Sequence, residues 1–250
     1  MLSKIEDFKN PKTYNVCGNK IGNCVVFGMP GSGKSYLFKK KISSLYRQTN
    51  DRIYIVGDET EFNEFPNTNA HSEIINCLNG EYFTDDRINL IPTRRINLFD
   101  SQLRNDLLPV IIKCLIKKIE ENSQSDINSY VFLSDFFTDS KNEELDYIIY
   151  NLIKDSRSLK CKIWIDYGEI SSFFMFDEKT KEPFNTSTRK ELLKIIDNYI
   201  ILNETLLSSR LCANVLHFYE GHKQLIPYLS GNRPGEGWLG TKNCVYRIQR

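Results

Sequence analysis

The 250-residue chain has no marked excess of either charge, no long apolar run and no segment of low complexity. Lysine plus arginine number 33, and aspartate plus glutamate number 32. This balance gives no global signal for nucleic acid, although a local basic patch is compatible with it. No apolar stretch approaches the roughly 18 to 20 residues that a membrane-spanning helix needs. We therefore expect no transmembrane segment in the chain.

Cysteine and histidine are too scattered for a disulfide framework or a cysteine–histidine metal site. The seven cysteines include no CxxC pair, and the three histidines show no ligand spacing with them. Disulfide scaffolds are usually shorter and denser in cysteine than this chain. Reduced thiols and a cytoplasmic location are therefore predicted.

What the sequence does contain is an alternation of apolar strands with amphipathic helices. Strands are predicted over 23–27, 52–57, 130–137, 161–168 and 199–203. Helices are predicted from residue 34 and over 103–120, 143–158, 189–198 and 205–219, and residues 63–94 are predicted to be irregular. Pro109 is expected to kink or restart its helix. Because apolar strands separated by helices form mostly parallel sheets covered on both faces, the fold class is α/β.

The domain organisation follows from the same pattern. No linker rich in proline, glycine or serine divides the chain, so residues 1–250 are predicted to be one domain. Residues 232–249 read as a glycine-rich turn followed by an edge hairpin.

The segment GMPGSGKS, residues 28–35, matches the pattern GxxxxGK[ST]. Its glycines let backbone N–H groups turn inward around phosphate oxygens, and the helix that follows adds the positive end of its dipole. Lys34 is predicted to reach the β- and γ-phosphates, and Ser35 to place its hydroxyl on Mg²⁺. ATP and Mg²⁺ are thus the predicted cofactors. The predicted nucleotide-binding residues are Met29, Pro30, Gly31, Ser32, Gly33, Lys34, Ser35 and Tyr36.

A run of three lysines, Lys39-Lys40-Lys41, follows this segment directly. We expect it to form a solvated helix face. The alternative is a basic surface near the phosphates or DNA.

A carboxylate at the end of a neighbouring strand is needed to hold the water shell of the metal. Asp135 ends the run YVFLSD, and Asp166 ends KIWID. Asp135 is the favoured metal residue, because the strand of Asp166 then becomes the one that usually carries a γ-phosphate sensor. Asp166 remains the alternative.

The residue after Asp135 bears on the rate of hydrolysis. Many ATP hydrolases carry a glutamate there, which orients the attacking water, whereas this chain carries Phe136. Glu59 is the candidate base from another loop, with Glu61 and Glu169 as alternatives. Slow hydrolysis is therefore an open hypothesis.

Four segments share their order and coarse spacing with one family. They are GMPGSGKSYLFKK from residue 28, RIYIVGDETEF from residue 52, RINLFD from residue 95 and NRPGEGWLG from residue 232. The chain thereby resembles the conjugative-transfer ATPases of type IV secretion systems (VirB/TraE/TraC-like proteins), within the HerA–FtsK branch of P-loop motors. The Thr-Gln pair that members carry after the metal strand has no match here. The resemblance covers residues 20–248 and implies a RecA-like P-loop NTPase fold.

The resemblance also implies an assembly and partners. Such motors form rings of six, in which a neighbour's arginine stabilises charge on the transferred phosphate. Arg157 and Arg233 are the candidates for that arginine. The implied partners are secretion-channel or coupling proteins and DNA, at the inner face of a membrane.

The sequence thus predicts an ATP-hydrolysing motor domain of a conjugation, type IV secretion or DNA-pumping system. One alternative is an ATP-dependent oligomerising module with weak or no hydrolysis, and another is a viral genome-packaging ATPase. A small-molecule kinase is less favoured, because Arg94-Arg95 is the only adjacent arginine pair where such enzymes need an arginine-rich lid.

Overall fold

The computed structural model describes two units of the chain, each built around β-strands. The described residues are 15–16, 21–62, 64–65, 68–70, 86–92, 101–134, 142–170, 175–176, 183–184, 187–203, 233–241 and 245–248. One unit comprises Met1–Lys41 and Asp166–Arg250, and the other comprises Ile42–Ile165.

The helices and strands follow in chain order. They are β1 (Cys24–Phe27), α1 (Lys34–Gln48), β2 (Arg52–Gly57), α2 (Glu59–Phe62), β3 (Thr68–Ala70), β4 (Ile88–Pro92), α3 (Ser101–Gln124), β5 (Ser129–Leu133), α4 (Glu143–Asp155), β6 (Cys161–Asp166), β7 (Met175–Phe176), β8 (Pro183–Phe184), α5 (Ser187–Ile195), β9 (Asn198–Ile201), β10 (Gly237–Thr241) and β11 (Val245–Ile248). None of these described helices combines the length and apolar character that crossing a bilayer requires.

In the first unit, β1 pairs in parallel with β9, with Val26 opposite Ile200. Strand β10 runs antiparallel to β9 and pairs on its other side with β11. All residues of β1 and β9 are buried, as expected of strands covered on both faces, whereas β11 is mostly half-exposed. The predicted C-terminal edge hairpin is therefore confirmed. Strands β7 and β8 form a separate antiparallel ribbon.

In the second unit, five strands pair in parallel in the order β6-β5-β2-β4-β3. Strands β2, β4 and β5 are almost entirely buried. Helix α3 is tied to this sheet by Asn122, whose Nδ2 donates to Tyr54 Oη at 2.7 Å and to Ser129 Oγ at 3.1 Å. These three polar side chains are buried, and each has a hydrogen-bond partner in this cluster. The predicted α/β class with a mostly parallel sheet is confirmed.

One prediction of local structure was wrong. Residues 63–94 contain β3 and β4 rather than irregular chain alone. Asn89 and Pro92 interrupt the apolar run of β4, yet the buried Asn89 side chain donates to Asp86 O at 2.9 Å, and Pro92 stands at the last strand position. Helix α3 continues through Pro109, so of the two predicted alternatives the restart does not occur and the kink stays a prediction. The segment RINLFD at 95–100 and the predicted helix over 205–219 lie outside the described residues.

Candidate functional site

The phosphate loop (residues 28–35) connects the buried end of β1 to the start of α1. Gly31 and Gly33 adopt positive φ angles of 77° and 99°, which side chains of L-residues disfavour. The Ser32 N–H donates to the Met29 carbonyl at 3.0 Å and closes the turn. The predicted strand–loop–helix context is therefore present, and the glycines stand where the backbone requires them.

At two of the loop glycines, Gly28 and Gly33, another part of the chain lies where a side chain would otherwise stand. A Cβ added at Gly28 would lie 2.4 Å from Ser32 Oγ, and one added at Gly33 would lie 2.7 Å from the backbone nitrogen of Gly235. Ser32 Oγ is buried and has no hydrogen-bond partner within the described part of the chain. An orphaned buried hydroxyl beside a glycine cradle is suited to an anionic oxygen as its partner.

Lys34 folds back over the loop from the first position of α1. Its Nζ donates to the Gly28 carbonyl at 2.6 Å and to the Met29 carbonyl at 3.3 Å. The side chain is only 9% exposed, so the ammonium group is held within the loop rather than in solvent. The loop thus contains a positioned cation.

The start of α1 adds to this positive field. The first N–H groups of a helix have no intrahelical carbonyl to bond and carry the positive end of the dipole. The first turn of α1 contains no acidic side chain that would neutralise it. Tyr36 is exposed there, with Lys40 Nζ 5.8 Å from its ring centroid. The donor set therefore fits a phosphate group.

Two residues of the first unit that lie outside its strands, Asn203 and Gly168, brace the loop through main-chain hydrogen bonds. The Met29 N–H donates to the Asn203 carbonyl at 3.0 Å, just beyond β9. The Gly28 N–H donates to the Gly168 carbonyl at 2.9 Å, just beyond β6. The loop is therefore held on two sides by backbone atoms.

Asp166 ends β6 in a buried position, 1% exposed. Its Oδ1 accepts the Gly168 N–H at 2.7 Å, and Gly168 has a positive φ of 69°. Because Gly168 in turn bonds Gly28, the carboxylate of Asp166 belongs to the turn that braces the phosphate loop. This role was not predicted from the sequence.

The second unit contains Asp135, Glu59 and Glu61, whereas Glu169 lies in the first unit. Asp135 and Phe136 lie outside the described residues, but Ser134 directly precedes Asp135 and its N–H donates to the Val56 carbonyl of β2 at 2.8 Å. Glu59 opens α2 directly after β2. A Cβ added at Gly57 would lie 3.0 Å from the ring of Phe62 in α2 and 3.2 Å from Ser134 Cβ. Ser134 and Glu59 therefore follow neighbouring strands, β5 and β2, at the same end of the parallel sheet.

Buried carboxylate oxygens mark helix α2. The Oε2 atoms of Glu59 and Glu61 are both buried without a hydrogen-bond partner among the described residues.

Arg157, the favoured candidate for the arginine of a neighbouring subunit, is exposed in the turn after α4. Among the described residues, no group of three or more histidine, cysteine or acidic side chains is arranged to hold a metal.

The cysteines at two strand starts are not suited to nucleophilic chemistry. Burial raises the pKa of the Cys24 thiol, an effect opposed by the nearby charge of Lys41, and burial also raises the pKa of the Cys161 thiol. A thiol must ionise to act as a nucleophile. Both are therefore structural residues.

The glycine-rich turn at residues 233–236 contacts the phosphate loop, a contact that the sequence did not predict. The Gly235 N–H donates to the Ser32 carbonyl at 2.8 Å. Arg233, a predicted trans arginine, is exposed in this turn, and its N–H donates to Glu236 Oε2 at 3.4 Å. The sequence signal was the glycine pair in RPGEG, which permits close backbone approach.

Comparison with solved structures identifies related folds. The VirB4 structure from Thermoanaerobacter pseudethanolicus superposes with a TM-score of 0.71 at 9% identity, covering 96% of this chain and 94% of that one. The plasmid coupling protein TrwB, in complex with the GTP analogue GDPNP, gives 0.62 at 8% identity, covering 95% and 88%. The genome packaging NTPase B204 of Sulfolobus turreted icosahedral virus 2, in complex with ATP-γS, gives 0.59 at 10% identity, covering 93% and 98%. No protein-family model and no curated protein sequence matches the chain. The chain therefore shares the fold of these VirB4, TrwB and B204 structures, the P-loop NTPase fold that the resemblance implied.

Proposed function

We propose that the chain binds ATP with Mg²⁺ at the phosphate loop and hydrolyses the nucleotide. The observation that carries this proposal is the loop itself. It lies between a buried strand and a helix start, its glycines adopt positive φ angles, and Lys34 is held inside it. Two proteins of similar fold, B204 and TrwB, have structures in complex with the nucleotide analogues ATP-γS and GDPNP.

In this proposal each predicted site residue has a role in binding the nucleotide, the metal or the attacking water. Lys34 binds the β- and γ-phosphates, and the Ser35 hydroxyl with the Asp135 carboxylate holds Mg²⁺ and its waters. When bound, the metal neutralises charge on the phosphates. Glu59 orients the attacking water. This role is supported by the position of Glu59 after the carboxyl end of β2, because active sites of parallel sheets occur at that end. Asp166 is the alternative metal carboxylate, supported by its burial beside the loop brace.

The cellular role that we propose is a motor domain of a conjugation, type IV secretion or DNA-pumping system. The fold shared with VirB4 and TrwB supports it. The motor would assemble as a homohexamer in the cytoplasm, at the inner face of the membrane, with secretion-channel or coupling proteins and DNA as partners. Arg157 from the neighbouring subunit would complete the site, and Arg233 is the alternative.

Two other functions share the same site. The similarity to B204 favours a viral genome-packaging ATPase as the second candidate. Phe136 after the metal aspartate favours an oligomerising module that binds ATP but turns it over slowly.

One sample tests these functions. Mass photometry with and without ATP·Mg²⁺ measures assembly, and phosphate release from the same sample, with and without double-stranded DNA, measures turnover. Hexamers with DNA-stimulated release support the motor. Hexamers with background release support the oligomerising module. A protein that fails to bind ATP·Mg²⁺ at all contradicts every form of the proposal.

A further inference from the structure

The 233–236 turn lies directly against the phosphate loop, backbone to backbone. The Gly235 N–H donates to the Ser32 carbonyl at 2.8 Å. A Cβ added at Gly33 would approach Gly235 N to 2.7 Å, closer than real Cβ contacts allow, and Gly235 Cα to 3.1 Å. The two chain segments therefore touch with no side chain between them.

This contact orients one peptide group of the loop. A trans peptide is planar, with its carbonyl and its N–H on opposite sides. Gly235 anchors the carbonyl of Ser32, so the N–H of Gly33 in the same peptide faces away from the turn. A phosphate held by the loop needs such N–H groups to face it. The Gly235 amide thus sets the direction of a phosphate-binding donor without contacting the ligand itself.

The turn is held in shape by its own residues and by β11. The Glu236 N–H donates to the Arg233 carbonyl at 2.9 Å, and Gly235 adopts a positive φ of 84°. Glu236 Oε2 accepts the Arg233 N–H and lies 3.8 Å from Arg247 Nη2 on β11. The C-terminal hairpin is therefore connected to the phosphate loop through this turn.

We propose that Gly235 is a positioning residue for nucleotide binding, which keeps the phosphate loop in its binding conformation through the Ser32 carbonyl. This inference rests on the proposed nucleotide binding and adds the C-terminal turn to that site. When the Gly235–Ser32 hydrogen bond is lost, only a fraction of the molecules keeps the loop in the conformation that binds nucleotide. The apparent Kd for the nucleotide then rises by the inverse of that fraction.

A matched pair of variants at Gly235 tests this. Alanine disfavours a positive φ, whereas asparagine adopts it more readily. Because the asparagine side chain is the larger of the two, this variant also controls for side-chain volume. Isothermal calorimetry with ATPγS·Mg²⁺ is expected to show a Kd about tenfold higher for Gly235→Ala, because a left-handed conformation disfavours alanine by about that factor. For Gly235→Asn the Kd is expected to be nearly unchanged. In phosphate-release assays the KM of Gly235→Ala rises while kcat stays close to that of the wild type. The melting temperature of each nucleotide-free variant reports whether it is folded.

The outcomes separate this inference from the proposed function. A wild-type protein that does not bind ATPγS·Mg²⁺ contradicts nucleotide binding and the inference together. Wild-type binding with an equal Kd in Gly235→Ala, or an equal loss in both variants, overturns the positioning role alone. If Gly235→Ala does not fold, Glu236→Ala decides the question, because it releases the Arg233 N–H and Arg247 while keeping Gly235. A raised Kd in that variant supports the inference, and an unchanged Kd overturns it.

Discussion

Replacing Gly33 with alanine perturbs two features of the phosphate loop at once, and Gly31 provides the matched control. Both glycines have positive φ angles, 99° at Gly33 and 77° at Gly31. They differ in the space around them. A Cβ at Gly33 meets Gly235 N at 2.7 Å, whereas a Cβ at Gly31 has no atom within 4 Å among the described residues. The pair therefore separates backbone strain from steric contact.

The expected magnitudes follow from these two terms. A left-handed conformation costs an alanine roughly 1–2 kcal/mol, and the loss of glycine entropy in the unfolded chain offsets about 0.4–1 kcal/mol of it. Gly31→Ala should therefore lower the free energy of unfolding by about 0.5–1 kcal/mol. In Gly33→Ala the turn must also move, which breaks the Gly235–Ser32 hydrogen bond and costs a further ~0.5–1.5 kcal/mol or more. We expect Gly33→Ala to be less stable than Gly31→Ala by about 1–2 kcal/mol.

Thermal melting of the nucleotide-free proteins measures this difference. For a chain of this size, 1 kcal/mol corresponds to roughly 2–4 °C in Tm, so Gly33→Ala should melt about 2–8 °C below Gly31→Ala. Using nucleotide-free protein removes any contribution from ligand binding. Equal melting temperatures would refute the reasoning, because they would mean that the 233–236 turn does not restrict Gly33.

Two further predictions test the site and its surroundings. Lys34→Ala should abolish both ATPγS·Mg²⁺ binding, measured by calorimetry, and phosphate release, while the protein stays folded with a cooperative melting transition. Lys194→Ala, which removes an exposed lysine of α5, should retain both activities. Wild-type turnover in Lys34→Ala would remove the site assignment. Iodoacetamide at pH 8 should modify Cys24 and Cys161 more slowly than the half-buried Cys114, as measured by peptide mass spectrometry, because burial protects both thiols and raises their pKa values. Equal labelling of all three would show that the strand starts open readily.

The phosphate loop could be predicted from sequence because its demands are local. A buried strand, glycines at fixed offsets and a lysine at the helix start are all contained within residues 24–35. The same locality explains the confirmed strands β1, β2, β5 and β6, whose apolar runs are continuous. Strand β4 was missed because Asn89 and Pro92 break the apolar pattern, and its parallel pairing with β2 on one side and β3 on the other compensates for them.

The lysine run shows where local composition misleads. Lys40 is exposed, as a solvated face requires, but Lys41 is fully buried. Its spacing explains this, because Lys41 stands three residues after Phe38 and four before Leu45, both buried on the core side of α1. The helical period therefore overrides the charge of the run. The expected solvated face is wrong for this residue.

The braces of the phosphate loop could not be predicted, because they join segments far apart in sequence through main-chain atoms. Asn203, Gly168 and Gly235 each contribute one backbone group to the loop, from the ends of β9 and β6 and from the C-terminal turn. A backbone hydrogen bond places almost no demand on the side chain, so these contacts leave little trace in the residue types. Only where an added Cβ would meet another backbone, as at Gly33, does the sequence have to be glycine. A phosphate loop held mainly by backbone atoms is therefore compatible with extensive sequence change elsewhere, and this explains how chains of very low identity can share the same fold around it.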